Sequence, residues 1–168
     1  MTLVYKEVNS PVGRLKLIAS TRALVAVRWE RERPDRVKLD SSVPAPEHPI
    51  LCDAERQLNE YFAGRRRNFD LPLDPSGSEF QKKVWRALQK IPFGQTRTYR
   101  ELAEAIGTAT AFRAVGLANG KNPLSIVVPC HRVIGSNGSL TGFAGGLQAK
   151  ATLLALEADA VAQMQGAA

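Results

Sequence analysis

Thr98-Tyr-Arg-Glu-Leu-Ala-Glu-Ala-Ile-Gly107-Thr-Ala-Thr-Ala-Phe-Arg113-Ala-Val-Gly-Leu-Ala118 is the stretch that decides the fold. Thr98 with Glu101 has capping-box spacing, and it predicts a short helix with Leu102 and Ile106 inward and Gly107 at its end. A second helix follows from about 110 to 118, rich in Ala111, Ala114, Gly116 and Ala118, with Arg113 near its start. Two short helices joined by a tight Gly-containing turn form the helix-turn-helix pattern. Upstream, Ser78 and Gln81 form another capping box before a helix whose Phe80, Val84, Trp85 and Leu88 share one face, ended by Ile91-Pro-Phe-Gly94. Downstream, Ser125–Val128 predicts a strand. Asn137-Gly138, between 132–134 and 139–140, predicts a hairpin. A final helix runs from Leu147 to about Asp159. A hairpin after a helix-turn-helix is the plan of a winged helix.

The first third is different in kind. Tyr5–Val8, Leu15–Ala19 and Leu24–Trp29 are short apolar runs, the first two flanking the turn-forming Ser10-Pro11-Val12-Gly13. They predict an antiparallel meander. Residues 30–49 are charged and Pro-rich and predict a loop. Ile50, Leu51, Ala54, Leu58, Tyr61 and Phe62 then recur at helical spacing up to Gly64. Residues 71–77 predict a linker, so the α+β chain divides into an N-terminal domain, 1–75, and a C-terminal domain, 76–168. A chain of 168 residues suits that division, and at this size about 70% of the unfolded surface can be buried.

Composition narrows the function classes. With 44% hydrophobic and 23% charged residues the chain is globular rather than disordered. No apolar run approaches the ~18 residues of a membrane span, and the first residues lack the zones of a secretory leader, so a cytoplasmic protein is expected. Two cysteines, Cys52 and Cys130, and two histidines, His48 and His131, leave neither a disulfide framework nor a zinc-ligand spacing. The net charge of +7 is uneven. Within 81–156 ten basic residues face only Glu101 and Glu104, a net +8, which points to a phosphate-bearing partner.

Cys130 stands in Ile126-Val-Val-Pro-Cys-His-Arg-Val-Ile134, a polar triplet between two apolar runs. A thiolate is the nucleophile, so a reactive cysteine needs a base or a cation nearby. His131 is adjacent, but neighbouring side chains in an extended segment point to opposite faces unless Pro129 bends the chain. A cysteine in an apolar strand is more often a small core hydrophobe. From residue chemistry both readings stand.

Pro129-Cys-His-Arg132 resembles the active-site motif of the O6-alkylguanine-DNA alkyltransferases, the methylated-DNA–protein-cysteine methyltransferases. Phe80-Gln-Lys-Lys-Val-Trp85, Thr98-Tyr99, Arg113-Ala-Val-Gly116, Asn122-Pro123, Gly142-Phe-Ala-Gly-Gly146 and Leu153-Leu-Ala-Leu-Glu157 are similar to further motifs of that family, in the same order. The resemblance covers 79–157 densely and the N-terminal part more loosely.

It implies an N-terminal ribonuclease-H-like α/β domain with a structural role and a C-terminal winged-helix domain carrying the site. The implied activity is irreversible transfer of the alkyl group from O6-alkylguanine, and from O4-alkylthymine, in duplex DNA to Cys130, once per molecule. His131 acts through a water as base and Glu157 holds it. Tyr99 donates a proton to the base, and Asn122 orients the cysteine loop. The target base is flipped out, and Arg113 fills the gap. Ala114, Gly116 and Ala118 let the recognition helix approach the minor groove, and Tyr99 also binds the DNA. Phe143, Ala144, Gly145, Val133 and Lys150 line the substrate pocket, although Lys150 reads equally well as a surface lysine. Ala144 stands where several members carry Ser, which removes a hydroxyl contact and leaves a backbone N–H. Cys52 is expected as a buried structural thiol. No cofactor or metal is implied. The partner is double-stranded DNA, bound by a monomer, with cooperative binding left open.

Three rivals remain. A non-catalytic alkyltransferase-like DNA binder would lack Cys130. A winged-helix transcription factor would bind one sequence preferentially. A cysteine hydrolase would need a distant histidine and would turn over.

Overall fold

The computed structural model describes residues 2–140 and 142–166. It divides into two units: Met1–Ser76 with Pro123–Val127, and Gly77–Asn122 with Val128–Ala168.

In the first unit β1 (Leu3–Val8), β2 (Leu15–Ala19) and β3 (Leu24–Trp29) form the antiparallel meander. The turn between β1 and β2 is closed by the Gly13 N–H donating to the Ser10 carbonyl at 3.1 Å. Leu15, Leu17, Leu24 and Val27 are fully buried, as are Leu51 and Ala54 of α1 (Pro49–Phe62). His48 caps α1, its Nδ1 accepting from the Ile50 N–H at 3.3 Å, with Pro49 in the first turn where no donor is needed.

The region 30–49 is more ordered than its composition predicts. Ser42–Pro44 forms a fourth strand, β4, parallel to β1 at the sheet edge, giving the order β3-β2-β1-β4. Three residues are too few to show a period of two, and Pro44 is compatible with a strand only at an edge. Ahead of it, the Glu32 carboxylate accepts from the Trp29 N–H at 2.9 Å and from Arg36 Nε at 3.0 Å, and pins the charged loop.

The 71–77 segment is likewise tied down. The Leu24 N–H donates to the Pro72 carbonyl and the Asp74 N–H to the Leu24 carbonyl. The strand expected at Ser125–Val128 is instead a tight turn. Ile126 sits at φ 73°, and residues 123–127 join the first unit through Val27 N–H to Pro123 O, 2.9 Å, and Trp29 Nε1–H to Ser125 Oγ, 3.0 Å. A β-branched residue in the left-handed region is an outlier that propensity does not foresee. The apolar Ile-Val-Val run is satisfied by burial in a turn as well as in a strand.

The second unit opens with α2 (Glu79–Leu88) and α3 (Tyr99–Ala105), each begun by its expected capping box. Ser78 N–H donates to Gln81 Oε1 and Gln81 N–H to Ser78 Oγ; Thr98 and Glu101 repeat the pattern. α4 (Phe112–Gly120) packs on both, and Trp85 Nε1–H donates to the Ala118 carbonyl at 2.8 Å. The 135–139 turn closes, Gly138 N–H to Gly135 O and Gly135 N–H to Ser139 O both at 2.9 Å, but its flanks form no ladder. β6 (Val133–Ile134) pairs instead with β5 (Arg97–Thr98), in parallel. A two-residue strand ahead of a helix leaves no pattern to read. α5 (Leu147–Gly166) continues seven residues past its expected end near Asp159. No helix among the described residues is long and apolar enough to cross a membrane.

Gly94 joins the end of α2 to α5. Its φ is +83°, and a Cβ there would lie 2.6 Å from Val161 Cγ2. Gly94→Ala is expected to lower the stability of the second unit by at least the ~1–2 kcal/mol of a left-handed non-glycine residue. Thermal unfolding checks this, and a variant as stable as the parent refutes it.

Candidate active site

Pro129, at φ −81° and ψ 64°, supplies the bend that the sequence leaves open. The Cys130 N–H donates back to the Val128 carbonyl at 2.8 Å, and the Arg132 N–H to the Pro129 carbonyl at 3.0 Å, so Cys130–Arg132 form a single 3-10 turn. Asn122 Nδ2–H donates to the same Val128 carbonyl at 2.9 Å. Asn122 is fully buried, and Cys130 is only 4% exposed.

The turn sends His131 and Arg132 to one acceptor on α5. His131 Nε2–H donates to Glu157 Oε2 at 2.7 Å. Arg132 Nε and Nη2 donate to Oε1 at 2.8 Å and Oε2 at 3.0 Å, and the Gly94 N–H adds a contact to Oε1 at 3.3 Å. Arg132 Nη1 donates to the Ile91 carbonyl at 2.7 Å, and its guanidinium lies 5.6 Å from the Phe93 ring centre. Burial pushes the Glu157 carboxyl up, but the hydrogen bonds from His131 and Arg132 outweigh it and hold the pKa at about 2. Burial lowers the His131 pKa below its usual 6.5 against the pull of Glu157. The site therefore holds a carboxylate, a permanent guanidinium and a neutral imidazole. With Nε2 carrying the proton toward Glu157, Nδ1 is the basic nitrogen, buried and without a hydrogen bond among the described residues.

Lys150 is not a surface lysine. It is fully buried on α5, Nζ donating to the Val133 carbonyl at 2.6 Å and lying 6.0 Å from the Phe143 ring centre. Burial lowers its pKa, against a weaker opposing pull from Cys130. Val133 is buried, and Phe143, Ala144 and Gly145 are half-buried in the loop that leads into α5.

The other expected residues lie on the helix-turn-helix. Tyr99 begins α3, half-buried, its ring 3.7 Å from where a Gly116 Cβ would be. Arg113 and Ala114 are exposed on α4. Ala118 does not join them: it is 3% exposed and faces the helix packing with Val115 and Asn119. Cys52, expected to be buried, is half-buried, its thiol donating to the Pro46 carbonyl at 3.3 Å. A cleft of about 700 Å3 between α2 and α3 does not include Cys130 in its walls.

Sequence reasoning missed Arg132 as the second clamp on Glu157. The available signal was its place beside His131, next to the cysteine. Among the described residues no group of three or more His, Cys, Asp or Glu side chains is placed to hold a metal ion.

Comparison with known proteins follows the division of the chain. Residues 3–75 match the ribonuclease-like domain of 6-O-methylguanine DNA methyltransferase and residues 79–159 its DNA binding domain. A methylated-DNA–protein-cysteine methyltransferase of Mycolicibacterium paratuberculosis is 53% identical over 91% of both chains. One from Methanosarcina acetivorans is 48% identical over 92% of this chain and 98% of its own. The crystal structure of Mycobacterium tuberculosis OGT in complex with DNA superposes with a TM-score of 0.86 at 43% identity, covering 95% of this chain and 94% of that one. With its two domains matched in order and relatives this similar along nearly its whole length, the chain belongs to the 6-O-methylguanine DNA methyltransferase family.

Proposed function

We propose that the protein repairs double-stranded DNA by moving the alkyl group of O6-alkylguanine, and of O4-alkylthymine, to Cys130. The observation that carries this reading is the buried His131–Glu157–Arg132 cluster on the turn that begins with Cys130. His131 Nδ1 takes the thiol proton through a water, and Glu157 stabilises the imidazolium that results. The Lys150 ammonium favours the thiolate. The sulfur lone pair forms the S–C bond, and the electrons of the broken C–O6 bond pass to guanine. Tyr99 hands its phenol proton to the departing base and regains one from solvent, while His131 releases the thiol proton to solvent, so that the net change removes one proton from the thiol and adds one to guanine. Asn122 fixes the Val128 carbonyl and with it the turn. A thioether is inert to water, so each molecule reacts once.

The alkylated atom lies inside the base stack, so the nucleotide is flipped out. Arg113, exposed near the start of α4, takes its place, with Ala114 and Gly116 allowing close approach to the minor groove. Phe143 walls the base pocket, and the backbone at Ala144 and Gly145 offers donors to O6. The protein acts as a monomer in the cytoplasm, on DNA of any sequence, because minor-groove readout is degenerate.

Incubation with an O6-methylguanine duplex is expected to add the mass of one methyl group to the Cys130 peptide, stoichiometrically, and Cys130→Ala to abolish it. A wild-type protein left unmodified sinks the reading. Arg113→Ala is expected to slow repair in duplex DNA far more than reaction with free O6-benzylguanine, and equal losses exclude the finger role.

The cluster also sets an acid limit. His131 is held below 6.5, so the unfolded chain takes up a proton that the folded one refuses, and stability declines as pH falls below about 6.5. Glu157, at about 2 against its usual 4.5, adds a second loss as pH falls below 4.5. Thermal midpoints measured from about pH 8 to about pH 3 are expected to fall in these two stages, with Glu157→Gln removing the lower one. A flat profile between pH 7 and pH 5 contradicts the neutral buried imidazole.

A further inference from the structure

The cleft of about 700 Å3 between α2 and α3 has walls of opposite charge. Lys83, Arg86 and Lys90, all exposed, recur at spacings of three and four residues. They form one cationic stripe, about 10 Å long, over α2 and the turn that follows it. Val84, Trp85 and Leu88 bury a different side of the same helix. The α3 wall carries Glu101 and Glu104, also exposed. Between the walls, the buried Ile91, Leu102 and Ile106 make an apolar floor, and Ala87 and Ala105 are small side chains that keep it open. None of the five charged side chains forms an ion pair among the described residues. Arg97, a further cation of the lining, is engaged by the Thr96 carbonyl and Gln95 Oε1.

We propose that this cleft is a docking groove for a protein partner, which lays in it an amphipathic helix with one acidic and one basic edge. Charge complementarity commits the occupant. The acidic edge meets Lys83, Arg86 and Lys90, the basic edge meets Glu101 and Glu104, and the apolar side chains between them rest on the floor. A phosphate chain would answer the α2 wall alone and be repelled by the α3 wall, which separates this groove from a nucleic-acid surface. The two signs also fix the direction of the bound helix, because turning it end for end exchanges its edges. No residue of α4 and none of Cys130–Arg132 lines the cleft. The docking groove therefore goes beyond the repair reading and does not rest on it.

The probe is a synthetic peptide of about 15 residues, near the shortest length that holds a helix in water, with glutamates along one edge, lysines along the other and leucines between. Titrated into isotope-labelled protein, it is expected to shift the amide resonances of Lys83–Lys90 and Glu101–Ile106 saturably and to leave those of α4 in place. Arg86→Glu is expected to weaken that binding about tenfold or more, because it sets like charges together. Glu104→Lys is expected to weaken it too, and to strengthen binding of a second peptide with glutamates on both edges. Both variants are expected to keep the parental dispersion of resonances; if Arg86→Glu loses it, Glu104→Lys decides. An absence of shifts, shifts on α4 instead, or equal affinity of the parent for the two peptides each overturns the proposal. So does a Glu104→Lys protein that binds both peptides as the parent does. Equal shifts from inorganic pyrophosphate overturn it in favour of a phosphate site. Shifts of the same resonances with protein concentration alone overturn it in favour of a second copy of this chain.

Discussion

Taking a carboxylate out of water costs several kcal/mol unless donors replace the lost solvent. Glu157 is 1% exposed, and its oxygens receive His131 Nε2–H, two guanidinium N–H groups of Arg132 and the Gly94 N–H. These donors come from the turn at Cys130–Arg132, from the loop after α2 and, through their acceptor, from α5. One buried charge therefore orders three segments. Removing either cationic or neutral donor leaves it partly unpaired, which is the expensive state for a buried ion. Arg132 cannot be replaced by a lysine here without loss, because the carboxylate and the Ile91 carbonyl are met by three different nitrogens of one planar group.

The same arrangement fixes the protonation pattern. Were His131 cationic, the cluster would bury two positive charges on one carboxylate. Arg132 already neutralises Glu157, so burial wins at His131 and the imidazole stays neutral with its proton on Nε2. The nitrogen left basic, Nδ1, is the one free of Glu157. A base is thus produced by pairing the carboxylate with a stronger cation. Lys150 follows a related logic: its buried ammonium is held in the interior by the Val133 carbonyl. The cluster is acid-sensitive because its charges are satisfied only in one protonation state.

How much of this was legible in the sequence depended on whether the cause was local. Capping boxes at Ser78 and Thr98 involve residues three apart, and both form as read. The meander of β1–β3 also forms as read, each strand being long enough to show its apolar run. β4, β5 and β6 have two or three residues each, below the length at which alternation exists, and each depends on a distant partner. Ile126-Val-Val signals burial but not backbone shape, and the positive φ at Ile126 is imposed by the tertiary structure. At the site, Cys130 and His131 stand out as chemistry beside Pro129, and the bend at Pro129 could be foreseen. For the pairing of Arg132 with Glu157, 25 residues away, the place of Arg132 beside His131 is the one local signal, and it does not name the partner. Lys150 reads in sequence either way because burial of a lysine is a property of its neighbours, not of its own segment.

α4 shows the limit of reading small residues as one class. Gly116 and Ala118 look alike in sequence, yet a two-residue step on a helix turns a side chain by about 200°, so they cannot share a face. Val115, Ala118 and Asn119 follow the spacing of a packing face, and Trp85 fixes Ala118 there through its carbonyl. What remains outward is Phe112, Arg113, Ala114, Leu117 and Gly120. A helix held this firmly from behind presents its outer residues in one orientation. The buried half of the second unit holds the charge cluster beside Cys130. Its exposed half carries the outward side of α4, which packs on α3 where Tyr99 lies against Gly116.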